Sequence, residues 1–144
     1  MIIKYYEIPS NKDINVENGK YIVIATYLNL RGTWNIIPFL ILVKRVESQL
    51  RVSKGIIRYS LGADILHRRF WTISVWTNKE DISLFLKTPS HKMAIYKFYK
   101  WGGEVKVTQW ISPAGTIDWK DALSRLENPD KHYTVHDGNF TSLS

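Results

Sequence analysis

Four imidazoles stand out as groups that could trade a proton or hold a metal near neutral pH: His67, His91, His132 and His136. Their spacing suits few uses. No pair has the i, i+4 spacing with an acidic neighbour that makes a zinc-protease helix, and "HYTVH" is strand-like, so His132 and His136 would share a face with no third ligand in view. His67 precedes Arg68 and Arg69 and reads as a solvated turn residue. His91 is different. In "TPSHKM" it follows a helix-breaking proline and opens a new helical turn. There it could ligate iron, donate a proton or orient a substrate, or simply make a local hydrogen bond at a helix start.

Other chemistries are poorly provided for. The chain has no cysteine, which excludes disulfides, thiolate metal sites and cysteine nucleophiles while leaving the redox compartment open. "WGGEV" and "RYSLGAD" have too few glycines and the wrong flanks for a phosphate loop or dinucleotide fingerprint, and no serine elbow occurs. Glu80, Asp81, Asp118 and Asp121 sit where helix starts favour negative charge, so capping accounts for them. The net charge of +7 favours an anionic partner or simply describes a basic surface. No leader-like segment opens the chain, and the longest apolar runs, 36–43 and 21–25, fall short of the roughly 20 residues a membrane span needs. The expectation is a cytoplasmic protein with no membrane span. Its 144 residues fit a single domain, with a core at about 20–128 and extensions at both ends.

The elements that must position any site follow from periodicity. "YIVIATYLNL" (21–30) is a strand apolar on both faces. "RGTWNIIPFLILVKRVESQLRVSKG" has Pro38 near a helix start, apolar residues at Phe39, Leu42, Val43, Val46 and Leu50, and a Lys54-Gly55 finish of the C-cap kind. "IIRYSL" and "RRFWTISVWT" read as a hairpin. Thr77 and Glu80 have capping-box spacing for a helix carrying Ile82, Phe85 and Leu86. Pro89 ends it, Ser90 is placed to cap a second helical piece, and Gly102-Gly103 ends that one. "EVKVTQWI" is a further strand. "DWKDALSRLEN" is a short helix with Trp119, Leu123 and Leu126 inward, and the tail offers "HYTV" or "NFTSL" as a last strand.

The order is α+β: a ferredoxin-like β-α-β-β-α-β unit with an antiparallel sheet and an extra C-terminal helix. Neither face of the first strand is polar, so the second face needs a cover, and a second copy forming a dimeric α/β barrel is the simplest one. In the third strand Trp71, Ile73 and Val75 share one face; Phe70, Thr72, Ser74 and Trp76 share the other. With helices on the first of these, the second would look into the barrel, joined by Lys106, Thr108 and Trp110. Such an aromatic pocket with few polar groups suits a small molecule, or else forms the core of a dimer.

The stretch "RRFWTISVWTNKEDISLFLKTPSHKMAIYKFYKW", with "FLILVKRVESQLRVSKGIIRYSLG" before it and "QWISPAGTIDWKDALSRLEN" after it, resembles the monooxygenase-like proteins of dimeric α/β-barrel fold. The nearest pattern is that of spheroidene monooxygenase and its bacterial relatives: Ser74-Val75-Trp76 at a strand end, Glu80-Asp81 at a helix start, Phe85, then His91. The resemblance implies a homodimer that binds a small apolar molecule and oxidises it, with or without haem. Phe70, Ser74, Trp76 and Trp110 would bind the substrate, and His91 would be the catalytic residue and haem-iron ligand. Pro89, Ser90 and Lys92 depart from the pattern around that histidine. The same resemblance covers a non-catalytic ligand-binding or structural dimer. The β-α-β-β-α-β order also belongs to RNA-recognition modules, but Arg69 stands where these want glycine and Thr72 where they want a stacking ring, so nucleic-acid binding is disfavoured.

Overall fold

The computed structural model describes residues 1–9, 19–136 and 139–142. Its strands are β1 (Ile2–Glu7), β2 (Tyr21–Leu30), β3 (Ile56–Asp64), β4 (Arg69–Trp76), β5 (Gly102–Ser112), β6 (Lys131–His136) and β7 (Asn139–Ser142). Its helices are α1 (Ile36–Arg51), α2 (Lys79–Leu86), α3 (Pro89–Trp101) and α4 (Trp119–Glu127), with one 3-10 turn at Thr33–Asn35. The strands form one sheet in the order β1-β3-β4-β2-β5-β6-β7, and every pairing is antiparallel. The inner four, β3-β4-β2-β5, are the ferredoxin-like unit, and the α+β fold is as expected. β1 lies in a segment expected to be an extension. It pairs with β3, where Tyr6 meets Tyr59. Both tail segments become strands, although Leu143 of "NFTSL" lies outside the described residues.

Local chemistry sets the helix boundaries, one residue after the expected cap of α2 and two residues before that of α3. The cap of α2 is Asn78, whose side chain accepts from the Asp81 amide at 2.9 Å, while Thr77 is buried with its amide donating to the Gly55 carbonyl. The cap of α3 is Thr88, not Ser90; its hydroxyl accepts from the His91 amide and Pro89 takes the first helical position. In α4 the buried residues are Ala122 and Leu126, with Leu123 half-buried.

Residues paired across a ladder share a face, and the two faces have different covers. Helices α1, α2 and α3 lie on the face of Ile22, Tyr59, Phe70 and Trp76, supplying Phe39 and Leu50, Ile82 and Phe85, and Phe98. Helix α4 lies on the face of Val23, Ala25, Ile73 and Val75. This reverses the expected assignment of strand β4. The bulky rings at 70 and 76 pair with the larger helix layer, whereas the small side chains of Val23, Ala25 and Val75 accept a helix that presents Ala122 and Leu126. A cover for the second face is therefore built into the chain, in part. Tyr27, Trp71 and Trp110 beyond α4 are only partly buried. Among the described residues, no helix is long and apolar enough to cross a membrane.

Candidate functional site

The three-helix layer does not close evenly over its face of the sheet. The row running Leu61, Thr72, Thr26 and Val107 across four strands separates two buried clusters, and none of these four side chains is buried. Thr72 is exposed although β4 is flanked on both sides by other strands. A hydroxyl-lined gap thus sits between the cluster of Trp76, Phe85, Ile82 and Tyr59 and the cluster of Phe70, Phe39, Phe98 and Leu30. Phe70 and Ser74 flank Thr72 on the same face, with Trp76 behind Ser74, donating its indole N–H to the serine Oγ at 2.9 Å.

Beside Ser74 in the register stands Tyr59, and here the sequence reading missed a polar cluster. The Tyr59 hydroxyl donates to Oε2 of the buried Glu47 at 2.9 Å and accepts from Nε of Arg51 at 2.8 Å. Arg51 also donates to Glu47 at 3.3 Å, and its guanidinium lies 4.8 Å from the Tyr6 ring, which stacks on Tyr59 at 4.7 Å. A carboxylate is buried only at a cost of several kcal/mol unless paired and hydrogen-bonded, and this one is both. The signal was present in α1: Glu47 falls on the inward stripe of Phe39, Val43, Val46 and Leu50, a phase where a solvated charge has no business.

Burial, and secondarily the Glu47 carboxylate, push the Tyr59 phenol from 10.0 up to about 12 against the opposing pull of Arg51. Below pH 10 the phenol is neutral in folded and unfolded chains alike, and its stabilising contribution is complete. From pH 10 to about 12 the unfolded chain loses the proton while the folded one keeps it, so stability falls. Urea midpoints measured at pH 8, 10 and 12 should drop more steeply for the wild type than for Tyr59→Phe; parallel curves would contradict this.

A separate cleft of about 370 Å³ opens at the β1–β3 edge, lined by Tyr5, Tyr6, Glu7, Arg58, Tyr59 and the loop at Thr116–Ile117. Arg58 bridges it, donating to Glu7 at 2.9 Å and to the Gly115 carbonyl.

No protein-family model matches this chain, and no curated protein matches it. Solved structures do. SnoaB, a cofactor-independent oxygenase from Streptomyces nogalater, aligns over 65% of this chain and 93% of its own at a TM-score of 0.54 and 13% identity. A protein from Bacteroides thetaiotaomicron, provisionally assigned as an antibiotic biosynthesis monooxygenase, aligns over 68% of this chain and 94% of its own, with a TM-score of 0.59 and 9% identity. A Fusobacterium nucleatum protein with a provisional monooxygenase assignment aligns over 76% of this chain but 52% of its own, at 0.59 and 16%. The chain has their fold. It is an α+β, ferredoxin-like fold.

Within that fold, the expected site residues separate. Phe70, Ser74 and Trp76 share the helix-covered face. Trp110 pairs with Val23 on the opposite face, under the Arg125 guanidinium at 4.6 Å. The expected grouping of Lys106, Thr108 and Trp110 with Phe70 is therefore not formed; register assigns them to the other side. His91 sits at the third residue of α3, its ring edge-on to Phe85 at 5.3 Å, with Phe85 in turn 5.6 Å from Trp76. Its Nδ1 is buried with no hydrogen-bond partner, and burial lowers its pKa below 6.5 while the Leu86 backbone works the other way.

An orphaned imidazole nitrogen is what an iron ligand would show, but the surroundings do not fit a haem. One side of the ring is taken by Phe85, and the nearby cavity walled by Phe85 and Thr88 does not have His91 in its lining. Elsewhere His67 bonds Asp64 at 2.9 Å and His132 bonds Glu104 at 2.6 Å, while the side chain of His136 is outside the described residues. Among the described residues no three His, Asp or Glu side chains converge on a point.

Proposed function

We propose that the chain binds a small, largely apolar molecule in the gap over Thr26 and Thr72 and oxidises it without a cofactor. The observation that carries this reading is the exposed Thr72 in mid-sheet beneath a helix layer, next to the buried Glu47–Tyr59 pair and the Arg51 guanidinium bonded to it from the surface. Phe70 would wall one side and Ser74 and Trp76 the other, as the resemblance to spheroidene-type monooxygenases implied. Trp110 would serve the opposite face. His91, two rings removed from Ser74, would position Phe85 rather than touch the substrate.

Without a cofactor the substrate itself must reduce dioxygen. The suitable class is therefore an enolisable ring ketone or hydroxyarene with an activated methylene. That methylene gives up two hydrogens, one oxygen atom enters as a carbonyl, and the other leaves as water. The chain's part is to bind the ring, exclude water and take a proton: Tyr59 accepts it as its own passes to Glu47, with Arg51 holding the charge in place.

An oxygen electrode with anthrone as probe tests this. Uptake should exceed the protein-free rate, with Glu47→Gln lowering it by about a hundredfold and Thr72→Trp abolishing ligand quenching of tryptophan emission. Uptake equal to the blank, in a protein that still quenches with ligand, would leave the non-catalytic binding reading; the absence of both would sink the site. A homodimer on the partly exposed face of Tyr27, Trp71 and Trp110 is favoured by those same aromatics and would leave the gap free.

A further inference from the structure

One end of the molecule carries large apolar side chains that its own packing leaves in water. Trp34, in the turn before α1, is 94% exposed. On α1 itself Ile37 is 72% exposed and Ile41 54%, and they belong to a single outward stripe with Leu40, continued toward the C-terminal half by Lys44 and Arg45. The β3–β4 turn adds Leu66 at 82%. It belongs to the same end, because the Leu30 amide donates to the Arg68 carbonyl where β2 leaves the sheet. The C-terminus of α3 is tied there too: the Arg31 amide donates to the Trp101 carbonyl at 2.7 Å and the Arg31 guanidinium to the Lys100 carbonyl at 3.2 Å.

Cations therefore ring the apolar tip. Arg31 and Lys100 stand at its base and Lys44 and Arg45 along the stripe, all exposed. The acidic groups of this end are already matched, Asp64 by Arg69 and His67, and Glu104 by His132. Aliphatic side chains at helical spacing, an indole at the margin and unmatched lysine and arginine behind them are the composition of a surface that lies in a membrane interface. A second copy docked here is a worse occupant, since Arg31, Lys44, Arg45 and Lys100 of each copy would bring like charge to like at this face.

We propose that this end of the protein docks on an anionic lipid bilayer, with Trp34, Ile37 and Ile41 entering the headgroup and acyl boundary and the surrounding cations meeting the headgroups. The binding is peripheral and reversible, and it leaves the gap over Thr72 outside the bilayer-contacting residues.

Flotation with vesicles of phosphatidylcholine containing phosphatidylglycerol tests it, beside vesicles of phosphatidylcholine alone. The protein should float with the anionic vesicles at low salt and be released as salt rises. The double variant Ile37→Ser, Ile41→Ser should lower the partition by about tenfold or more, and Lys44→Glu with Arg45→Glu should do the same. All four positions are exposed, so circular dichroism should be unchanged. No flotation at low salt overturns the proposal, as does flotation indifferent to the serine pair. Concentration-dependent dimerisation that the serine pair abolishes, without vesicle binding, would assign the face to a second copy instead and equally overturn it.

Discussion

Replacing Trp76 with alanine is expected to cost the fold about 3–5 kcal/mol, the range for emptying the space of a buried indole. That is a large share of the roughly 5–15 kcal/mol by which a domain of this kind is stable. Trp76 is among the largest fully buried side chains, packed 5.6 Å from the Phe85 ring in the cluster that joins α1, α2 and the sheet. The loss has two parts: the apolar contacts, and the Ser74 hydroxyl left without its indole donor. Urea unfolding should show the midpoint displaced with the slope unchanged. Trp76→Phe should recover most of the stability but not the Ser74 bond. A loss below about 1 kcal/mol would mean that the cluster is looser than its geometry says.

Gly55→Ala is the second large effect. Gly55 has φ +88°, and a β-carbon there would stand 2.5 Å from Oδ2 and 2.7 Å from Cβ of Asp81. Asp81 cannot step aside freely, since it is buried and held at both ends by Asn78, which caps α2. Backbone strain and displacement of the cap together should cost more than about 2 kcal/mol. Gly19→Ala separates the two causes. That residue also has positive φ, +65°, but nothing lies within 4 Å of its added carbon, so it carries strain alone. Equal losses of melting temperature in the two variants would remove the Asp81 contact from the account.

Much of the architecture was legible because alternation and helical spacing act locally. The 21–30 strand and the break at Pro89 coincide with β2 and the α2–α3 junction. The hairpin was equally plain; its strands pair from Asp64 with Arg69. β1 was not legible, because "IIKYYE" has no hydrophobic face that demands burial; its exposed residues are held by pairing with β3, a contact from distant sequence. Capping positions shifted by one residue at the start of α2 and by two at the start of α3 because Thr77 and Asn78, or Thr88 and Ser90, are equally good caps in isolation, and tertiary burial of Thr77 decides the first.

The site divides similarly. Phe70, Ser74 and Trp76 share a face by parity alone, so grouping them needed only the strand. Trp110 could be assigned a side only through register with β2, which the sequence does not print. Which face takes the three helices depends on matching volumes across the core, not on any single segment's pattern. The buried Glu47 is the instructive omission: a carboxylate on an inward stripe is a stronger pointer than a histidine beside a proline, because its burial has to be compensated.

The strand order bears on how the chain is made as well as how it stands. Among the described residues β1 pairs with β3 alone, with Ile2 opposite Ala63, whereas β6 and β7 pair with each other, Val135 opposite Phe140 and His136 opposite Asn139. During vectorial synthesis β1 must therefore wait, unpaired, until α1 and most of β3 have left the ribosome. The last strands fold back at once. The lysine within β1, at position 4, gives that waiting segment a charge that discourages premature pairing with other chains.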